Sequence, residues 1–181
     1  WVWRLLTSRN ISLQEWIAWR QPERLPLWAV PLLTLPLLIV VGALVSLLFG
    51  PTEIEIQLQL FSTPALRVVS AIVVSTVVPV AEELIFRGAI YSALLRPEAG
   101  AAGWRRHALP FAVTTLLFAA VHLLAGFETV AAIIQILILS SFLTALRTAT
   151  GSVIPSTLAH LVWNLTAAIG LILTSVLDMP V

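Results

Sequence analysis

The run from Leu27 to Phe49 carries no charged residue, and at 1.5 Å per residue a helix of that length crosses about 30 Å of hydrocarbon. A segment placed in lipid must satisfy every backbone polar group internally, so only a helix bundle or a closed barrel is open to it. Composition carries the point to the whole chain: 59% of residues are hydrophobic and 10% are charged, far from the balance of a soluble domain. Four more apolar stretches, at about 66–95, 108–125, 129–147 and 152–177, are also of spanning length as helices. The expected fold class is all-α, a polytopic membrane bundle of about five transmembrane helices. Pro79 is expected to kink the second of them.

Residues 1–26 form a different unit from the bundle of 27–181. They hold Arg4, Arg9, Arg20 and Arg24 together with Trp1, Trp3, Trp16 and Trp19, the mixture of cations and amphipathic rings suited to a headgroup layer. Ser12 and Glu15 have capping-box spacing, and Leu13, Trp16 and Ile17 share one helical face. A short interfacial helix is expected, against the alternative of an arginine-bearing tail without fixed structure. The first long apolar run is long enough to span, so no cleavable signal peptide is read. The chain opens at Trp1 rather than a methionine, which leaves room for a piece ahead of it. Between the first two spans, residues 53–58 alternate with period two, consistent with a strand, a loop or an interfacial segment.

All ten basic residues are arginine, and their placement orients the bundle. With five alternating spans the N-terminal segment, the 96–107 loop and the 147–151 turn fall on one side, expected to be cytoplasmic. There is no cysteine, hence no disulfide, thiolate metal site or cysteine nucleophile. No internal repeat of the transporter kind is present. Nor is there a phosphate loop, a dinucleotide loop or a basic nucleic-acid face, so nucleic acid is not an expected partner.

Against this apolar background Glu82, Glu83, Arg87, His122, Gln135, His160 and Asn164 stand out. Ionisable groups inside a membrane are expensive and mark functional sites. Glu83 and Arg87, spaced i to i+4, could simply neutralise each other. That leaves Glu82, about 100° away around the helix, to face a cavity. Phe118 with His122, and His160 with Asn164, repeat the i to i+4 spacing on two other spans. A carboxylate in an apolar site beside a second carboxylate can act as general base on water, while imidazole and carboxamide groups can donate to an oxyanion. Glu82, His122 and His160 also count as a two-histidine, one-carboxylate set of the kind that binds zinc, although no HExxH spacing is present. Each histidine taken alone could be a satisfied interhelical contact. If the spans were straight, His122 would lie near the outer end, Glu82 near mid-membrane and His160 nearer the cytoplasmic end. A shared, water-filled site therefore requires tilt or a break.

Glu82-Glu83-x-x-x-Arg87, Phe118-x-x-x-His122 and His160-x-x-x-Asn164, the last preceded by Thr150-Gly151-Ser152 and Pro155, together resemble the signature of the CAAX-protease and bacteriocin-processing group of intramembrane proteases. Rce1-type prenyl-protein endopeptidases and bacterial Abi proteins belong to that group. The resemblance covers about residues 66–170. It implies an endopeptidase acting on a membrane-anchored protein or peptide, in which Glu82 activates water, Glu83 and Arg87 support the site, His122 positions water or substrate, and His160 with Asn164 stabilises the oxyanion. A glutamate-dependent, cofactor-free reaction is the implied chemistry, with a divalent metal such as zinc as the alternative. The compact, all-arginine chain is closer to bacterial members, implying the inner membrane. A non-catalytic immunity or peptide-binding protein, and a proton-coupled transporter, are the competing functions.

Overall fold

The computed structural model of the chain describes residues 12–50, 64–95, 104–126 and 129–177. Arg4, Arg9, Trp1, Trp3, the alternating 53–58 stretch and most of the 96–107 loop lie outside them. The described residues form α1 (Leu13–Trp16), α2 (Ala29–Phe49), α3 (Pro64–Glu83), a π-helical segment (Leu84–Ile90), α4 (Tyr91–Leu94), α5 (Arg105–Leu124), α6 (Val130–Thr150) and α7 (Ile154–Leu177), with no strand among them. Four spans, Ala29–Phe49, Val68–Leu94, Arg105–Leu124 and Val130–Thr150, are long and apolar enough to cross a membrane. The fifth apolar stretch also forms a helix, the 24-residue α7. The protein is an integral membrane helix bundle.

The bundle is apolar outside as well as inside. Leu32, Ile39, Leu47, Leu48, Val69, Val77, Leu116 and Leu124 are exposed, which is stable only against lipid. Five hydroxyls on these helices are satisfied within them: Thr34, Ser75, Thr76, Ser141 and Thr166 each donate to the carbonyl four residues back, so these add no unmet polarity in hydrocarbon, whereas the buried Thr114 hydroxyl has no partner among the described residues. Helix α7 sits at the centre, packed on α2, α3 and α6, while α5 packs on α6. Two buried clusters hold it there, Val30 with Leu139, Leu143, Leu146 and Ala159, and Val41 with Val45 and Ala131. Trp163 packs against both. That ring, next to the polar residues of α7 in sequence, is a core wedge rather than a membrane-interface anchor.

Three local features depart from a bundle of uninterrupted helices. The second span keeps its expected length, and Pro79 lies within it, but its conspicuous irregularity comes later. At Leu84–Ile90 the hydrogen bonding widens, and Tyr91 N–H bonds to Phe86 O, five residues back. Such segments are rare and concentrate at functional sites. Next, α5 begins at Arg105, so the last three residues read as loop are helical. Finally, the capping box forms as its spacing suggests, with Ser12 Oγ accepting from Glu15 N–H and Glu15 Oε2 accepting from Ser12 N–H, but the helix is one turn long.

Beyond that turn the chain docks on the protein. Ala18, with φ 56°, is buried, and its carbonyl accepts from Val153 N–H at 3.0 Å. Arg20 Nε donates to Gly151 O at 3.2 Å, and Ser152 Oγ donates to Arg20 O. Gly151 ends α6 in the left-handed region, φ 65°, the conformation glycine adopts without steric penalty. Thr150, Ser152 and Pro155 then launch α7: the Thr150 hydroxyl accepts from Ser152 N–H, the Ser152 hydroxyl accepts from Ile154 N–H, and proline is tolerated in the first turn of a helix.

Candidate active site

The acidic pair stands at the last two positions of α3, immediately before the π-helical segment. The roughly 100° between successive residues sends the two carboxylates to different surroundings. Glu83 is fully buried; the Glu82 side chain is 21% exposed.

Glu83 Oε1 accepts from Arg87 Nη1 at 2.8 Å and lies 3.1 Å from His160 Nδ1 on α7. Arg87, also fully buried, spends its remaining donors on α6. Its Nη2 reaches Ser140 O at 3.0 Å and Ser140 Oγ at 2.7 Å, and its Nε reaches Thr144 Oγ1 at 3.3 Å. These acceptors are held in turn, since Thr144 donates to Ser140 O, Thr115 donates to Thr144, and Ser140 donates to Thr115 O on α5. A buried charge is tolerable only when paired and hydrogen-bonded; this network pairs both charges and bonds Glu83 Oε1, while the buried Glu83 Oε2 has no hydrogen-bond partner among the described residues.

Glu82 faces the two histidines. His122 Nε2 is 3.8 Å from its Oε1, and His160 Nε2 is 3.6 Å from its Oε2. Both rings are oriented from behind. His122 Nδ1 lies 2.9 Å from Phe118 O, and because a carbonyl only accepts, that nitrogen carries the proton. The Glu83 carboxylate makes the same demand on His160 Nδ1. Each Nδ1 therefore carries a proton, and both Nε2 atoms point toward Glu82. The Phe118 ring is the packing pivot, fully buried, 4.3 Å from the His122 ring, 5.8 Å from the His160 ring and 4.5 Å from the Arg87 guanidinium.

Thus Glu82, Glu83, Arg87, His122 and His160 converge from three helices, despite their different depths on straight spans. The start of α7 is covered as well: Ser152 and Val153 are fully buried beneath the docked N-terminal segment. Asn164 is the outlier. Its Nδ2 donates to Val74 O on α3 at 3.3 Å, bracing α7 against the helix that bears the acidic pair.

An open, apolar groove of about 420 Å³ is lined by Thr76, Val77, Val80, Ala81 and Leu84, on the side of the helix turned away from Glu82. Among the described residues no group of three or more His, Cys, Asp or Glu is arranged to hold a metal ion. The zinc alternative rests on residue types.

Ser140, Thr144, Thr115 and Arg147 belong to the polar network, yet sequence reasoning passed over them. A signal was present: Ser140, Thr144 and Thr148 recur at i, i+4, i+8 on an otherwise apolar helix, which makes one polar stripe. Arg147, read from sequence as a turn charge, is 5% exposed and inside the bundle.

No curated protein and no solved structure matches the chain. A family model described as type II CAAX prenyl endopeptidase, Rce1-like, matches residues 64–166, more than half of the chain. That stretch runs from the start of α3 into α7 and includes the acidic pair, both histidines and Asn164. The chain belongs to the Rce1-like family of type II CAAX endopeptidases, intramembrane proteases.

Proposed function

We propose that the chain hydrolyses a peptide bond in a membrane-anchored substrate, with Glu82 as the base that activates water. The observation that carries this reading is the placement of the half-buried Glu82 carboxylate opposite two oriented histidine nitrogens, at 3.8 and 3.6 Å. Glu83 is already committed to Arg87 and His160. In the proposed step Glu82 takes a proton from water as the oxygen attacks the scissile carbonyl carbon. The C–N bond then breaks and the proton passes from Glu82 to the departing amine nitrogen. His122 positions the water or the substrate. His160, in its doubly protonated form, keeps its Nδ1 proton on Glu83 and donates from Nε2 to the oxyanion, and Asn164 retains a second amide hydrogen for the same purpose.

The N-terminal segment and the α6–α7 turn are proposed to face the cytoplasm, from the arginine pattern, and the bacterial inner membrane is the proposed location. The reaction is proposed to need no cofactor.

The test is cleavage of prenylated and non-prenylated membrane peptides by the purified chain and by Glu82→Gln, with and without chelator. Turnover by the wild type, lost in a folded Glu82→Gln, is the expected result. Loss of turnover with chelator, restored by zinc, would assign the site to a metal. A folded wild type that binds such peptides without cleaving any would favour the peptide-binding alternative.

A further inference from the structure

Arg147 is nearly buried on α6, and among the described residues no ion pair joins it to a carboxylate. An unpaired cation at that depth is costly, so its contacts call for a reason. Its Nε donates to Arg87 O at 3.1 Å, its Nη2 donates to Ser92 Oγ at 3.2 Å, and its guanidinium lies 4.9 Å over the Tyr91 ring. All three partners lie at the junction where the π-helical segment returns to α-helix.

The carbonyl it binds is a special one. In an α-helix Arg87 O would accept from Tyr91 N–H, four residues on. Here that N–H goes to Phe86 O, and the Arg87 oxygen loses its regular helical donor. An unmet backbone acceptor in a membrane interior is strongly disfavoured, and Arg147 meets it. Tyr91 is fixed from the same side, its hydroxyl lying 2.8 Å from Thr148 Oγ1 on α6 and 2.7 Å from His107 Nδ1 on α5. Conversion of the segment to α-helix would supply Arg87 O from within. It would also turn the part carrying Glu82 and Glu83 by about 100° relative to Tyr91, the angle of one residue.

We infer that Arg147 is a positioning residue, which holds the π-helical segment open by binding Arg87 O and so fixes the direction in which Glu82 and Glu83 face α5 and α7. It touches no reacting atom. Its effect on turnover rests on the protease reading; its effect on the helix does not.

The full chain in lipid nanodiscs, as wild type, Arg147→Gln, Arg147→Lys and Ser92→Ala, is compared by amide hydrogen exchange over residues 84–92 and by cleavage kinetics. Arg147→Gln should raise exchange in that segment about tenfold, the loss of one hydrogen bond, with α2 and α7 unchanged. It should lower kcat about 10²-fold with KM within about twofold, as expected for a displaced catalytic group. Arg147→Lys, which can still donate to the carbonyl, should recover part of both. Unchanged exchange at 84–92 overturns the inference, as does loss of protection spread evenly over all helices. A lysine variant no better than glutamine also overturns it. If Arg147→Gln does not fold, Ser92→Ala decides, with a smaller rise confined to the same segment expected and no rise counting against. Should the wild type cleave nothing, the protease reading fails while the exchange comparison still decides the role of Arg147.

Discussion

Glu83 holds His160 through the same oxygen, Oε1, that receives Arg87, at 3.1 and 2.8 Å. One buried carboxylate therefore joins the acidic helix to α7 and fixes which ring nitrogen of His160 points at Glu82. The ion pair and the proposed catalytic group are parts of one network, so damage to the pair should be felt at the histidine.

Removing one member of this pair should destabilise strongly. Arg87→Met leaves the Glu83 carboxylate buried without its cation and should cost about 3–5 kcal/mol. The double variant Glu83→Gln, Arg87→Met should cost clearly less than the sum of the two single changes, because neither partner is then left alone. Unfolding in one fixed detergent measures both; additive losses would show that the two residues are not coupled.

The hydroxyl shell on α6 should matter through Arg87. Ser140→Ala removes the 2.7 Å acceptor of Nη2, and an unsatisfied buried donor costs about 1–3 kcal/mol. In the background of Arg87→Met the same substitution should be nearly silent. An equal loss in both backgrounds would assign Ser140 to packing alone.

For turnover, His160→Ala should reduce kcat about 10²–10³-fold, the range for loss of an oxyanion donor, with the peptide still bound. Asn164→Ala, whose amide is partly engaged with Val74 O, should reduce it less. Single-turnover cleavage of a membrane peptide separates the two, and an Asn164 effect exceeding that of His160 would reverse their proposed ranking.

At the α6–α7 turn, Gly151→Ala places a Cβ in the left-handed region and 3.0 Å from Arg20 Nη2. The backbone term alone is about 1–2 kcal/mol, and the crowding falls on the residue that anchors the N-terminal segment. Limited trypsin digestion should cut faster at Arg20 and Arg24 in this variant. Unchanged digestion would mean that the segment is held mainly by Ala18 and Ser152.

The capping box at Ser12 gives a pH dependence. Hydrogen bonds from the Ser12 backbone and hydroxyl hold the Glu15 carboxyl below its ordinary value. With the folded pKa depressed, the contribution to α1 is fully present above the unfolded carboxylate value and is lost as pH falls through the folded one. An NMR titration of Glu15 should shift upward in Ser12→Ala; a titration identical in the two proteins would dismiss the box as an energetic contributor.

What the sequence determined by itself is local. Apolar length identified Ala29–Phe49 and the other spans, because helix formation in lipid depends only on satisfying the segment's own backbone. The i to i+4 spacings paired Glu83 with Arg87 and placed His160 and Asn164 on one face, since helical periodicity needs no partner. The capping box at Ser12 was legible for the same reason. Only the tertiary structure decided that His122 and His160 reach Glu82, because that convergence depends on how α3, α5 and α7 pack and not on the periodicity of any one of them. It also decided that Asn164 braces Val74, and that Ser140 and Thr144 serve Arg87. The π-helical turn and its Arg147 contact belong with these. No residue type in Leu84–Ile90 announces a five-residue hydrogen bond, and its displaced carbonyl finds a donor only where another helix is packed against it.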